Sequence, residues 1–187
     1  MQEIVLNNRG ISSIDIGDLP AFSALKALNL ENNLITDIAP LGRLESLMQL
    51  QVGCNRIQSL PQLTSGIFFQ LQVLDVSFNQ IPVCEVFARE SDWSRLPSLR
   101  KLDMSGNHLV QLPDAIGSFP SLQNLILEYN QLSGESLRPL GGLPKLQVLG
   151  LANNHVDEIP MEAFTTSTFN SLTVLDMSRN RIRCGIG

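Results

Sequence analysis

The stretch LQVLDVSFNQI, Leu71 to Ile81, runs apolar and polar in turn through Leu74, Asp75, Val76 and Ser77, then breaks on Asn79. Leu74 and Val76 stand two residues apart. That spacing sends both side chains to one face of an extended chain and Asp75 to the other. One such stretch fits many strands; its recurrence is what decides the fold. LKALNLENNLI begins at Leu25, LMQLQVGCNRI at Leu47, LRKLDMSGNHL at Leu99, LQNLILEYNQL at Leu122, LQVLGLANNHV at Leu146 and LTVLDMSRNRI at Leu172. All seven fit LxxLxLxxNxI, with Ile, Val or Met at the apolar places, and MQEIVLNNRGI at the start is a degenerate eighth with Arg9 where the asparagine belongs.

The asparagines are Asn33, Asn55, Asn79, Asn107, Asn130, Asn154 and Asn180, separated by 22, 24, 28, 23, 24 and 26 residues. A fixed period of this size marks a supersecondary unit that stacks on its copies to bury a common core. Each unit contributes one short strand. Strands repeated in one direction form a parallel sheet, which needs crossover segments, and the second half of each unit supplies them. The asparagine follows the strand where the chain turns away. Its buried amide must find partners, and the turn backbone offers them, so the seven side chains are expected to form a structural ladder.

With 22–28 residues per unit and the consensus above, the chain resembles the leucine-rich-repeat family over essentially its whole length. The resemblance implies an α/β solenoid: a right-handed arc of about seven to eight repeats, with a parallel concave sheet and short helices, 3-10 turns and loops on the convex side. TDIAPLGRLESL (36–47) resembles the compact intracellular SDS22-like class, and VQLPDAIGSFPSL (110–122) resembles the LPxxIGxLxxL units of signalling scaffolds. The cysteine-rich flanking caps of extracellular members are not seen. In SGESLRPLGGLPKL (133–146), Ser133 is read as a helix N-cap, with Pro139 and Gly141-Gly142 limiting a short helical turn.

The chain is read as a single domain. Residues 1–24 form a degenerate capping repeat, 25–171 six full repeats and 172–187 a truncated last one. A piece of a longer protein is expected, with association possible through an uncapped C-terminal end. The 28-residue unit holds VCEVFARESDW (83–93). Cys84 falls on the apolar template place held elsewhere by Ile38, Leu60, Leu112 and Ile159, which makes it a core filler. Phe87 follows at helical spacing, and Trp93 with Leu96 is expected to close an enlarged convex helix.

Composition narrows function. A net charge of -5 disfavours a nucleic-acid partner, because phosphate binding asks for a basic stripe. No apolar window long enough for a membrane span, and no secretory leader pattern, occurs. Three widely spaced cysteines, Cys54, Cys84 and Cys184, offer no zinc spacing and suit a reducing, cytoplasmic setting, with nuclear or ciliary sites also compatible. No Walker loop, GxGxxG or HExxH is present. No cofactor, metal or catalytic residue is assigned. Asp75 and Asp103 pair on adjacent strands but on an open, wet face; His108 and His155 are solvent-facing turn residues two units apart; Cys54 has no patterned histidine beside it.

The remaining site is the concave face. Outward strand positions there give candidate partner-binding residues Gln51, Asp75, Ser77, Phe78, Lys101, Asp103, Ser105, Ile126, Glu128 and Tyr129. Phe78 and Tyr129 are expected to wall a shallow notch over Gly106. The expected function is a non-catalytic protein-interaction module, a scaffold or regulatory subunit. The alternatives are a substrate-selecting part of a larger enzyme or a brick in a cytoskeletal or axonemal assembly.

Overall fold

A tripeptide strand is too short to stand alone, so each one here is held by the strands beside it. In the computed structural model, which describes residues 2–15, 22–58, 60, 68–81, 96–160 and 171–183, eight such strands lie side by side in chain order, all parallel. They are β1 Glu3–Val5, β2 Ala27–Asn29, β3 Gln49–Gln51, β4 Val73–Asp75, β5 Lys101–Asp103, β6 Asn124–Ile126, β7 Val148–Gly150 and β8 Val174–Asp176. Register is identical at every step: Leu28 faces Leu50, Leu50 faces Leu74, Leu74 faces Leu102. The repeat therefore works as its own register device. A one-residue slip would turn a whole column of leucines to solvent.

The inward residues of the strands form the first layer of the core. Leu50, Leu74, Leu102 and Leu125 are buried, and so are Val52, Val76, Met104 and Leu127 two places on. A further apolar column stands three residues before each unit's first leucine: Leu44, Phe68, Leu96, Phe119 and Leu143, all buried. The carbonyls of Leu44, Phe68 and Leu96 accept from the backbone N–H of Leu47, Leu71 and Leu99, closing the turn that re-enters each strand. Leu96 is thus part of a general re-entry device; the Cys84–Trp93 segment expected to pack with it lies outside the described residues.

Among the described residues, three convex crossovers are 3-10 segments: Ala39–Arg43, Asp114–Ser118 and Glu135–Gly142. The 3-10 form climbs faster per residue than an α-helix, which suits a crossover with few residues to spend. Pro40 sits in the first turn of the first segment, where its missing N–H costs nothing. The third departs from expectation. Pro139 lies inside it and Gly141-Gly142 belong to it, and Gly134, not Ser133, holds the N-cap place. Ser133 donates its backbone N–H to Ser136 Oγ, whose hydroxyl donates to Val110 O of the preceding unit. The serine pair therefore ties two units together rather than capping a helix.

The second and third of these segments touch through glycines. A Cβ on Gly117 would stand 2.6 Å from Pro139 O, and one on Gly142 would stand 2.9 Å from the Gly117 Cα. At the N-terminal end β1 extends the sheet, and beside it lies an apolar cavity of about 510 Å³ bordered by Ile4, Leu6, Ile14, Phe22, Leu25 and Leu41. No helix among the described residues is long and apolar enough to cross a membrane.

Candidate partner-binding face

Each asparagine lies in the turn that follows its strand and reaches back to the preceding unit. Asn107 donates to Met104 O and Ser105 O of its own turn and to Val76 O of the preceding unit, and its Oδ1 accepts the Ile81 N–H. Asn55, Asn79, Asn130, Asn154 and Asn180 repeat the same four contacts. Asn33 accepts from the N–H groups of Arg9 and Ile11, so the degenerate first unit joins the ladder by its backbone. The ladder holds the turns that carry the candidate face.

In the last turn before the asparagine, one residue per unit has a positive φ: Asn8, Asn32, Cys54, Phe78, Gly106, Tyr129, Asn153 and Arg179. Glycine and asparagine adopt this conformation at least cost, whereas bulky residues are disfavoured there by about 1–2 kcal/mol. Phe78 (φ 51°) and Tyr129 (φ 54°) are nonetheless held in it, and the two residues are 52 % and 50 % exposed.

The expected notch over Gly106 is filled. The Phe78 ring lies where a Gly106 Cβ would be, 2.4–2.9 Å from that position. Phe78 thereby crosses to the next unit and meets Tyr129, ring centroids 6.3 Å apart and tilted by 42°. The glycine is bare so that an aromatic pair can bridge three units as a raised platform. The same leaning recurs nearby. Glu128 Oε1 lies 3.1 Å from the position of a Gly150 Cβ, and Ser77 Oγ 2.9 Å from that of Gly53.

Acidic groups adjoin the platform. Asp75 and Asp103 are register partners on β4 and β5. Each accepts at Oδ1 the N–H two residues on, from Ser77 and Ser105, and Asp176 does the same with Ser178. One carboxylate oxygen is thus fixed by the turn. Ser105 differs from its assignment: it is buried, and its hydroxyl donates to Asp103 at 2.7 Å, so it braces the aspartate instead of meeting a partner. Ile126, Glu128, Lys101 and Gln51 are half-buried on the same face. Burial raises the Glu128 carboxyl above its ordinary value, and the charges of Asp176 and Asp103 raise it further. Hydrogen bonds from the Ser178 backbone and then its hydroxyl lower Asp176.

Of the residues weighed for chemistry, Asp75 and Asp103 stand side by side, whereas the histidines and Cys54 lie apart from them and from one another. His108 and His155 are exposed, each donating its backbone N–H to the preceding unit, at Ile81 O and Leu132 O. Cys54 is an exposed free thiol. Among the described residues no three His, Cys, Asp or Glu converge on a metal site.

Residues 4–185 match the family model described as a leucine-rich repeat region. The chain belongs to the leucine-rich-repeat family. It is 32% identical over 177 residues to podocan-like protein 1 of Mus musculus, covering 94% of this chain and 31% of that one. To osteomodulin of Bos taurus it is 29% identical over 185 residues, 98% of this chain and 42% of that one. The chain thus spans less than half the length of these relatives. Among solved structures, the TLR13–ssRNA13 complex superposes with a TM-score of 0.80 at 23% identity, over 95% of this chain and 25% of that one.

Within the leucine-rich-repeat frame, the feature that sequence reasoning missed is the leaning of side chains over neighbouring glycines. Its signal was present at two places: Gly106 and Gly150 each sit on the outward face one unit away from a long or aromatic outward residue.

Proposed function

We propose that this leucine-rich-repeat chain is a non-catalytic protein-interaction module whose concave face binds a protein segment around Phe78 and Tyr129. The observation that carries the reading is the aromatic pair itself. Two large side chains stand half exposed in a backbone conformation that costs stability, at a place where Asn32 and Asn153 fill the same role more cheaply. Strain kept at an exposed site argues for use of that site, and tyrosine and other aromatics with polar surrounds are the usual anchors of interfaces. The acidic groups beside the pair disfavour a phosphate backbone as ligand.

The finer likenesses support a cytoplasmic setting: the compact SDS22-like unit at 36–47, and the order of units from Leu71 to Pro160, which is similar to that of the X-ray radiation resistance-associated protein, another intracellular repeat protein. Immunofluorescence of the endogenous protein tests this; a secreted product would overturn it.

The binding reading is tested by affinity purification from the native source, comparing the parent chain with Ile126→Arg, which plants a long charged side chain in the middle of the face. Loss of the retained protein is the expected outcome. Retention at parental levels would show that the partner docks elsewhere.

A further inference from the structure

The concave face carries more carboxylates than cations along its whole length. The outward positions of β1 to β3 carry Glu3 and Glu31 among uncharged residues, Val5, Asn7, Asn29, Gln51 and Gly53. Among the described residues, those of β4 to β8 carry Asp75, Asp103, Glu128 and Asp176 against Lys101, with Arg179 in the turn that follows β8. Among the described residues no Lys or Arg lies within ion-pair distance of any of the four carboxylates. Glu128 reaches across Gly150 towards β8, which joins Asp103 to Asp176 in one acidic track. Phe78 and Tyr129 stand beside this track, one turn further along the same units.

We infer that this half of the face receives an extended polypeptide segment bearing arginine at alternate positions, one guanidinium lying over the Phe78–Tyr129 pair and the others reaching Asp103, Glu128 and Asp176. The assignment rests on the concave-face reading above and names the partner's chemistry. A guanidinium is planar and weakly hydrated, so it stacks on an aromatic face while keeping donors free for carboxylates. Lysine lacks that plane. The dimensions agree. From Asp103 on β5 to Asp176 on β8 there are three inter-strand steps of about 4.8 Å, about 14 Å in all. An extended segment crossing the strands covers that length in about four residues, presenting every second side chain to the sheet.

The test uses the full chain and four labelled synthetic peptides of alternating residue and serine: arginine, lysine, citrulline or glutamate at the alternate positions. Citrulline keeps the shape of arginine and removes its charge. Fluorescence anisotropy is expected to show binding for the arginine peptide, weaker binding for lysine and at least tenfold weaker binding for citrulline and glutamate. Asp103→Asn with Glu128→Gln, and separately Phe78→Asn with Tyr129→Asn, are each expected to weaken the arginine peptide at least tenfold. These variants keep the turn acceptor of Asp103 and place asparagine where other units already hold it, so they retain the fold; a thermal melt verifies this. Neutralising Glu135 and Glu158, away from this face, is expected to leave binding unchanged.

No arginine-peptide binding, equal binding of the citrulline peptide, or insensitivity to both double variants overturns the assignment. The two readings separate cleanly. If Ile126→Arg abolishes the native partner while the arginine peptide behaves in any of those ways, the concave-face reading stands and the arginine assignment fails. If Ile126→Arg leaves the native partner bound, the concave-face reading itself fails.

Discussion

Asn107 shows how much one residue does in a repeat. Its amide serves two units at once, so replacing it leaves the Ile81 N–H of the preceding unit without its acceptor and takes a donor from Met104 O and Ser105 O of its own. Asn107→Ala is expected to cost about 1–3 kcal/mol in denaturant unfolding, the range for a buried polar group left unpaired. Asn180 makes the same contacts half-buried, where water replaces them, so Asn180→Ala should cost less. Equal costs at the two positions would contradict the ladder as a buried network. Glu128 makes an opposite case. Its folded proton affinity is raised from the ordinary 4.5, so ionising it costs stability. That cost is full above the raised value and gone once pH falls below the ordinary one. Glu128→Gln should therefore melt higher than the parent at pH 7, and the gap should close towards pH 4.

At the scale of the element, much of the strand pattern was open to view and much of the crossover pattern was not. Leu74, Asp75 and Asn79 announce a strand, its outer face and its turn because the pleat has a period of two and the turn needs an amide. Ser133 misled because a serine before a helical run looks the same whether it caps that run or, through Ser136, ties back to Val110. The choice is made by the neighbouring unit, which local sequence does not specify. The filled notch has the same origin: Gly106 records that something lies over it, not that Phe78 does. The glycine contact between Asp114–Ser118 and Glu135–Gly142 gives the sharpest test of an element. Gly117→Ala would drive a methyl into the Pro139 carbonyl, and overpacking of this kind costs about 1–3 kcal/mol. It would also push the convex side apart while the strands keep their spacing, so small-angle scattering should report a more tightly curved arc. An unchanged melt would mean that the two segments slide apart freely.

For the whole molecule, stability is a sum over neighbours. Leu125 and Leu149 are fully buried between flanking strands, whereas Leu175, in the equivalent place on β8, is 39% exposed. Amide exchange is therefore expected to be slowest at β5 and β6 and clearly faster at β8; uniform protection along the sheet would point to a single all-or-none unit. The glycines under Ser77, Phe78 and Glu128 carry a different consequence. Because each outward side chain rests on a unit other than its own, the surface cannot be rewritten one repeat at a time. Any side chain larger than hydrogen at Gly106 evicts Phe78, and Phe78 in turn sets where Tyr129 stands. Changes at these positions will be epistatic in double-mutant cycles, and a library that varies single repeats while copying the rest will discard most of its members to misfit between neighbours. The unit of redesign on this face is the triplet of repeats, not the repeat.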